Sequence, residues 1–191
     1  MFLLRLQGLI DGFSDLLGRI AALLFILLLF NVFYDVAARY LFNSVNLGLQ
    51  ELEWHLYASM FMLGIPFALK SGSHVRVDVF YDRLSARGRA WIDLFGSLLL
   101  LLPFTLLIAW YGVDFVKDAY SIGEGSPDPG GLPHRWVIKS VIPFAMLFNF
   151  ISGIGFMLAA LNCLLGHSGA DCADQASSTS TSTGTGTGGG I

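Results

Sequence analysis

Charge is what this chain has least of. Lys, Arg, Asp and Glu make up 13% of its 191 residues, against roughly 25% in an ordinary soluble domain. Meanwhile 54% of the residues are hydrophobic and the mean hydropathy is +0.66, which excludes a typical water-soluble surface. A net charge of -3 supplies no basic footprint, so no nucleic-acid partner is expected. Cysteine is as scarce. Cys163 and Cys172 are the only two, which is too few for a disulfide framework or a metal site. They are expected to be a small apolar residue and a free tail thiol. His55, His74, His134 and His167 follow no HExxH spacing and have no paired cysteines beside them, which excludes a zinc site. A haem anchor needs histidines at matching depth on facing helices, whereas these lie at or beyond the ends of the apolar runs. No cofactor is expected, and the chain is not expected to be an enzyme.

What is present is apolar sequence in long blocks. The runs exceed the strand length of a buried sheet and lack the alternation of a lipid-facing barrel strand, so they are helices. At ~20 residues per crossing, the chain accommodates four spans, about 17–41, 49–69, 90–116 and 136–165. The expected fold is an all-α integral membrane protein of four transmembrane helices. Residues 1–16 form a cytoplasmic N-terminal segment, 17–170 the four-helix membrane domain, and 171–191 a disordered tail of Ser, Thr and Gly that cannot bury a core. Arg5, Asp11, Asp15 and Arg19 precede the first run, and that run is longer than a signal-peptide core, so a retained span is expected. Pro66, Pro103 and Pro143 fall inside the second, third and fourth runs. Each frees a carbonyl that lipid cannot satisfy, so all three are expected to be kinks packed against protein.

Orientation follows from the short loops. Lys70, Arg76, Arg83, Arg87 and Arg89 follow the second span, whereas the connection 43–50 holds no Lys or Arg. The 121–135 connection sets Glu124 and Asp128 against Arg135. These counts predict both termini inside and the 121–135 loop outside. The cysteines then sit on the inner side, which excludes a disulfide-oxidising enzyme with outward thiols.

Polar residues in such a chain carry most of the information. Asp35 and Arg39 are four apart on one helix face and are expected to pair, either as a local ion pair or as a subunit contact. Glu51 and Glu53 open the second span beside Trp54 and Tyr57. They are expected to act as a helix cap or snorkelling acid, or as a contact to a partner. Asn31 and Asn149 are candidates for interhelical hydrogen bonds, and Gly64-x-x-x-Ala68 and Gly155-x-x-x-Ala159 for close helix approach. After the second span, Val77, Phe80, Tyr81 and Leu84 recur at helical spacing, predicting a short amphipathic helix lying in the inner interface. His74, Arg76 and Asp78 just before it are candidates for a subunit contact or a local turn.

Glu53, Gly64 and His74-Val-Arg-Val-Asp78, together with Gly123-Glu-Gly-Ser, Leu132-Pro-His-Arg-Trp136, Lys139 and Pro143, resemble the DctQ-like small membrane subunit of tripartite ATP-independent periplasmic (TRAP) transporters. The resemblance runs from about Leu17 to Leu165. It implies residence in the bacterial inner membrane beside a large multi-span TRAP subunit. That subunit carries an organic solute inward on a sodium or proton gradient after a periplasmic solute-binding protein delivers it. The small subunit would then brace the large one, with membrane lipid as its other neighbour. The Gly- and Pro-rich third loop is expected to help receive the binding protein. The alternative is a stand-alone four-helix membrane transport or sensor protein, which would need a polar track through its spans.

Overall fold

The computed structural model describes residues 2–71 and 85–165, and these are helical with no strand among them. The chain forms α1 (Phe2–Phe42), α2 (Leu47–Lys70), α3 (Ala86–Gly96), a π-helical turn (Ser97–Leu101), α4 (Leu102–Ser121) and α5 (Trp136–Leu164). The helix expected near 77–84, the candidates His74, Arg76 and Asp78, and the tail from 171 all lie outside the described residues.

Three stretches are long and apolar enough to cross a membrane: Arg5–Phe42, Arg87–Ser121 and Trp136–Leu164. With 24 residues, α2 is ~36 Å long at ~1.5 Å per residue, enough for a ~30 Å hydrocarbon layer. Glu51, Glu53 and His55 in its first half and Lys70 at its end leave it without an uninterrupted stretch as apolar as those of the other three. The 41 residues of α1 span ~60 Å, twice that thickness.

Two helical hairpins, α1 with α2 and α4 with α5, are joined chiefly through α5, which touches every other helix. The seams are made of small residues. Ala90, Ala119, Ala145 and Ala160 are buried, as are Ser14, Ser97, Ser152 and Gly153. In lipid there is no hydrophobic force between helices, so close backbone approach and interhelical hydrogen bonds hold the bundle. Gly155 shows how tight the approach is, since a Cβ there would stand 2.7 Å from Cγ2 of Ile10 on α1. Gly64, the other small-residue site marked in the sequence, faces Ala21 across the α1–α2 seam.

Buried polar groups concentrate where α1 meets α5. The hydroxyls of Ser14 and Ser152 share a hydrogen bond of 2.8 Å, and Asn162 Nδ2 donates to Gln7 Oε1 at 2.9 Å. At the same end Lys70, the last residue of α2, pairs with Asp15 at 2.6 Å and donates to the Asp11 carbonyl at 3.2 Å. α1 is therefore one unbroken helix from Phe2, whose first turns pack against the bundle.

The prolines behave differently from one another. Pro66 is fully buried in α2, and Pro143 packs on Gly112 of α4, as expected of kinks against protein. Pro103 is exposed, which corrects the expectation for it. The π turn just before it accounts for the difference. It resets the register, with the Leu102 N–H reaching back to the Ser97 carbonyl, so the missing N–H falls in a stretch already wider than an α-helix. Just beyond it the Thr105 hydroxyl donates to the Leu101 carbonyl at 2.8 Å. Cys163 is disulfide-bonded, correcting the expectation of a plain apolar residue; nothing in the spacing of two cysteines reveals this.

Candidate interface at the loop end of the bundle

The polar residues singled out in α1 and α2 gather at the end of the bundle that carries the 122–135 loop. There the chain between α4 and α5 runs through turns and irregular backbone, and its backbone groups need partners that no helix supplies. Glu51 supplies one of them and holds a side-chain hydroxyl of the loop as well. One carboxylate oxygen accepts from the Ser126 hydroxyl, and the other accepts from the Leu132 N–H at 2.6 Å. Arg135 and His55 add favourable charge beside it. Within the loop, Ser126 N–H donates to the Leu132 carbonyl at 3.1 Å, and Arg135 N–H to the Glu124 carbonyl at 2.9 Å. Asp128 N–H donates to the Ser126 hydroxyl at 3.2 Å. The loop is thus folded around one carboxylate of α2. A glycine at 131 is required by this closeness, because a Cβ would stand 2.9 Å from Glu51 Oε1 and still nearer the Ser126 hydroxyl.

A second fastening lies on the other side of the loop. Lys139, in the first turn of α5, pairs with Glu124, and its ammonium sits 4.0 Å from the Phe115 ring centroid on α4. Tyr120 and Trp136 meet edge to face at 5.5 Å and close the mouth between the two helices. Glu124 and Lys139 are about one-quarter and one-fifth exposed. Lys139→Glu should therefore cost more than the ~1 kcal/mol of an exposed pair and less than the ~3–5 kcal/mol of a fully buried one. Combining it with Glu124→Lys should recover part of the loss, measured as melting temperature in detergent.

Asp35 is 2% exposed. Its Oδ2 accepts from Arg39 at 2.5 Å, as the spacing predicts, with the Arg39 side chain 46% exposed. Asp35 Oδ1 has no hydrogen-bond partner among the described residues. Asn31 Nδ2 donates to the Leu49 carbonyl at 2.9 Å and ties α1 to the first turn of α2. Glu53 stands with Leu28, Val32, Trp54 and Tyr57 around a shallow groove of about 280 Å³ between α1 and α2. Trp54, Tyr57, Phe33, Tyr34, Tyr40 and Phe42 on this end are all exposed.

Glu51 does not cap its helix. Asn46 does, its side chain accepting from the Leu49 N–H at 3.4 Å. Sequence reasoning named Glu51 but missed Ser126, Leu132, Gly131 and the Glu124–Lys139 pair as its setting. The signals were a carboxylate one turn inside the helix instead of at its cap, and the presence of Glu124, Ser126, Leu132 and Lys139 in the motifs that carry the family resemblance, which say nothing of the pairing. Among the described residues no group of three or more His, Cys, Asp or Glu side chains is placed to hold a metal ion.

The model of the DctQ component of the tripartite ATP-independent periplasmic transporters matches residues 28–163. The chain belongs to this family. The matched stretch takes in Asp35, Arg39, Glu51, Glu53 and the whole clamped loop, while the Gln7–Asn162 and Ser14–Ser152 contacts draw half of their members from outside it. The small permease protein DctQ of a C4-dicarboxylate TRAP transporter from Rhodobacter capsulatus is 35% identical over 105 residues, 53% of this chain and 45% of that protein. The small permease protein TeaB of an ectoine TRAP transporter from Halomonas elongata is 26% identical over 163 residues, 83% of this chain and 81% of its own. The sialic acid TRAP transporter permease protein SiaT from Haemophilus influenzae is 27% identical over 119 residues, 61% of this chain but only 19% of that permease. The chain therefore spans less than half of the Rhodobacter relative and about four-fifths of the Halomonas one. DctQ membership and the apolar helices together make it a multi-pass protein of the inner membrane.

Proposed function

We propose that this chain is the small permease subunit of a TRAP transporter, bracing a large transport subunit during ion-gradient-driven uptake of an organic solute. A periplasmic solute-binding protein would deliver that solute, and the clamped 122–135 loop would form part of its landing surface. The observation that carries the reading is the family match over 28–163, joined to a fold whose described polar contacts tie helices and loop to one another, with Asp35 Oδ1 and Asn149 Oδ1 the buried side-chain atoms left without a partner among the described residues. The described polar contacts lie in two groups: Ser14–Ser152, Gln7–Asn162 and Lys70–Asp15 toward one end, Asp35–Arg39 and the Glu51 loop toward the other. They do not line up into a path for a solute. The SiaT match, occupying a fifth of a longer permease, suits a unit that works beside further membrane helices. The role is non-enzymatic.

In this reading α2 is the remaining span, giving four, with both termini and the 70–89 loop cytoplasmic and residues 1–16 and 171–191 at the inner face. The basic residues after α2 support that orientation. The Cys163 disulfide pulls the other way, since disulfides are rare in the cytosol. The charge rule draws on five basic residues and carries more weight. Thiol alkylation with and without reductant, combined with C-terminal reporter fusions, checks both at once.

Cells expressing this chain with a large TRAP subunit and the binding protein should accumulate solute, and cells with this chain alone should not. Uptake by the small subunit alone would sink the brace reading in favour of a stand-alone transporter. His74→Ala, Arg76→Ala and Asp78→Ala are each expected to lower complex yield or uptake while the chain still inserts. Normal values in all three would make the segment an ordinary charged loop.

A further inference from the structure

Two shallow depressions follow one another along the exposed side of the α1–α2 hairpin. Glu53 stands in the one nearer the loop, with Leu28, Val32, Trp54 and Tyr57. The other, of about 410 Å³, begins one turn further along each helix and is lined by Ala21, Ala22, Gly64 and Ala68, with Phe25 and Phe61 beside them. Glu53, Tyr57, Phe61, Gly64 and Ala68 recur at spacings of three and four, so they share one face of α2. The two depressions are therefore one trough. From Glu53 to Ala68 it runs ~22 Å at ~1.5 Å of rise per residue, longer than one leaflet's half of a ~30 Å hydrocarbon core. Its small residues bring α1 and α2 close, a Cβ on Gly64 standing 3.8 Å from Ala21 Cβ, and leave room for a third backbone to approach them.

Charge decides what fits there. Glu53 is half-buried, with no hydrogen bond or ion pair among the described residues. Arg39, the cation of α1 at this end, is already held by Asp35, whose second oxygen is itself without a partner among the described residues. This end of the seam carries more acid than base. A carboxylate facing an apolar trough in a membrane is costly unless it is paired, so the occupant has to bring a cation. An acyl chain brings none, and a phospholipid headgroup brings a phosphate with any amine it carries. A second copy of this chain, inserted the same way and joined through the same face, sets Glu53 at the depth of its own counterpart, acid against acid. The occupant that answers the charge is a different chain with a basic residue at that level.

We propose that this trough receives a transmembrane helix of the large TRAP subunit, and that Glu53 takes an ion pair from a Lys or Arg of that helix. Gly64 and Ala68 meet its backbone, and Trp54, Tyr57 and Phe61, all exposed on α2, cover its side. The inference rests on the brace reading and adds to it the face that docks and the charge that fixes the register.

The test uses the full chain co-expressed with the large subunit of the same transporter and extracted in mild detergent. Glu53→Lys should cut co-purification several-fold, and so should Ala22→Trp, which fills the trough from an exposed position. The melting temperature of the small subunit alone should stay unchanged in both. In the Glu53→Lys background, changing the large subunit's membrane-embedded Lys and Arg residues one at a time to Glu should restore the yield at one position. A photo-crosslinking amino acid at Tyr57 or Phe61 in the otherwise wild-type complex should label the large subunit, while one at Trp110, exposed on α4, should not. This arm stays decisive if a trough variant misfolds. Crosslinks from 57 and 61 to lipid, to a second copy or within the chain itself would overturn the proposal, as would unchanged co-purification of both variants. Labelling of the large subunit from Trp110 alone would overturn it and leave the brace standing. Failure of the wild-type chains to co-purify or crosslink at any position would sink the brace reading and the docking face with it.

Discussion

Gly155→Leu is expected to be the most damaging substitution in the bundle. The 2.7 Å approach of Ile10 Cγ2 to the position of a Cβ leaves no room for even an alanine without a shift. The neighbour is a β-branched side chain held by its own helix, so it cannot swing away cheaply. Overpacking of this kind costs about 1–3 kcal/mol, and leucine stands at the upper end. The helix propensity a side chain adds at a glycine, up to ~1 kcal/mol, offsets only part of it. Nearby, Ser14–Ser152 and Gln7–Asn162 depend on the same spacing of α1 against α5, so separating the helices loses those bonds too. A drop in melting temperature in detergent reads the effect. Adding Ile10→Ala should return a good part of it, and absence of that rescue would show that the cost arises elsewhere.

Replacing Glu51 with alanine is expected to have the largest effect on the 122–135 loop. One carboxylate answers both the Ser126 hydroxyl and the Leu132 N–H, so its removal leaves two donors to find water and frees the loop from α2. Limited proteolysis should then nick the chain between Gly125 and Gly131, where the wild-type protein is expected to resist. Under the proposed function, uptake and affinity for the binding protein should fall together, with insertion and the helical signal kept. Glu51→Gln should be intermediate, since its single carbonyl replaces one of the two acceptor oxygens. Gly131→Val should reproduce the alanine phenotype from the other side, by pushing Glu51 and Ser126 apart. Unchanged proteolysis and docking in Glu51→Ala would show that the loop is held by its internal hydrogen bonds and by Glu124–Lys139 alone.

The parts of this protein legible in the sequence are those set by local periodicity. Long apolar runs mark the helices, and their predicted ends fall within a few residues of the observed ones except at the start of α1 and the ends of the α3–α4 rod. The missing boundary in α1 has a physical cause: Asp11 and Asp15 look like solvated residues before a span, yet they lie on a helix whose other face packs through Ile10, Ser14 and Leu17. The Asp35–Arg39 pair was legible because it depends on a four-residue helical repeat. Pro103 was misjudged because a π turn is a register choice made by the local backbone, and composition carries no trace of it.

The sequence by itself determined that the chain is helical, too apolar for water, and similar in its motifs to a DctQ subunit. These properties depend on residue type and on spacings of a few positions. Only the tertiary structure decided what Glu51 does. Its partners stand 75 and 81 residues away, and the two buried serines that meet across the bundle are 138 apart. Such contacts exist only after α5 has packed against the α1–α2 hairpin, because nothing short of the assembled bundle brings those groups within hydrogen-bonding distance.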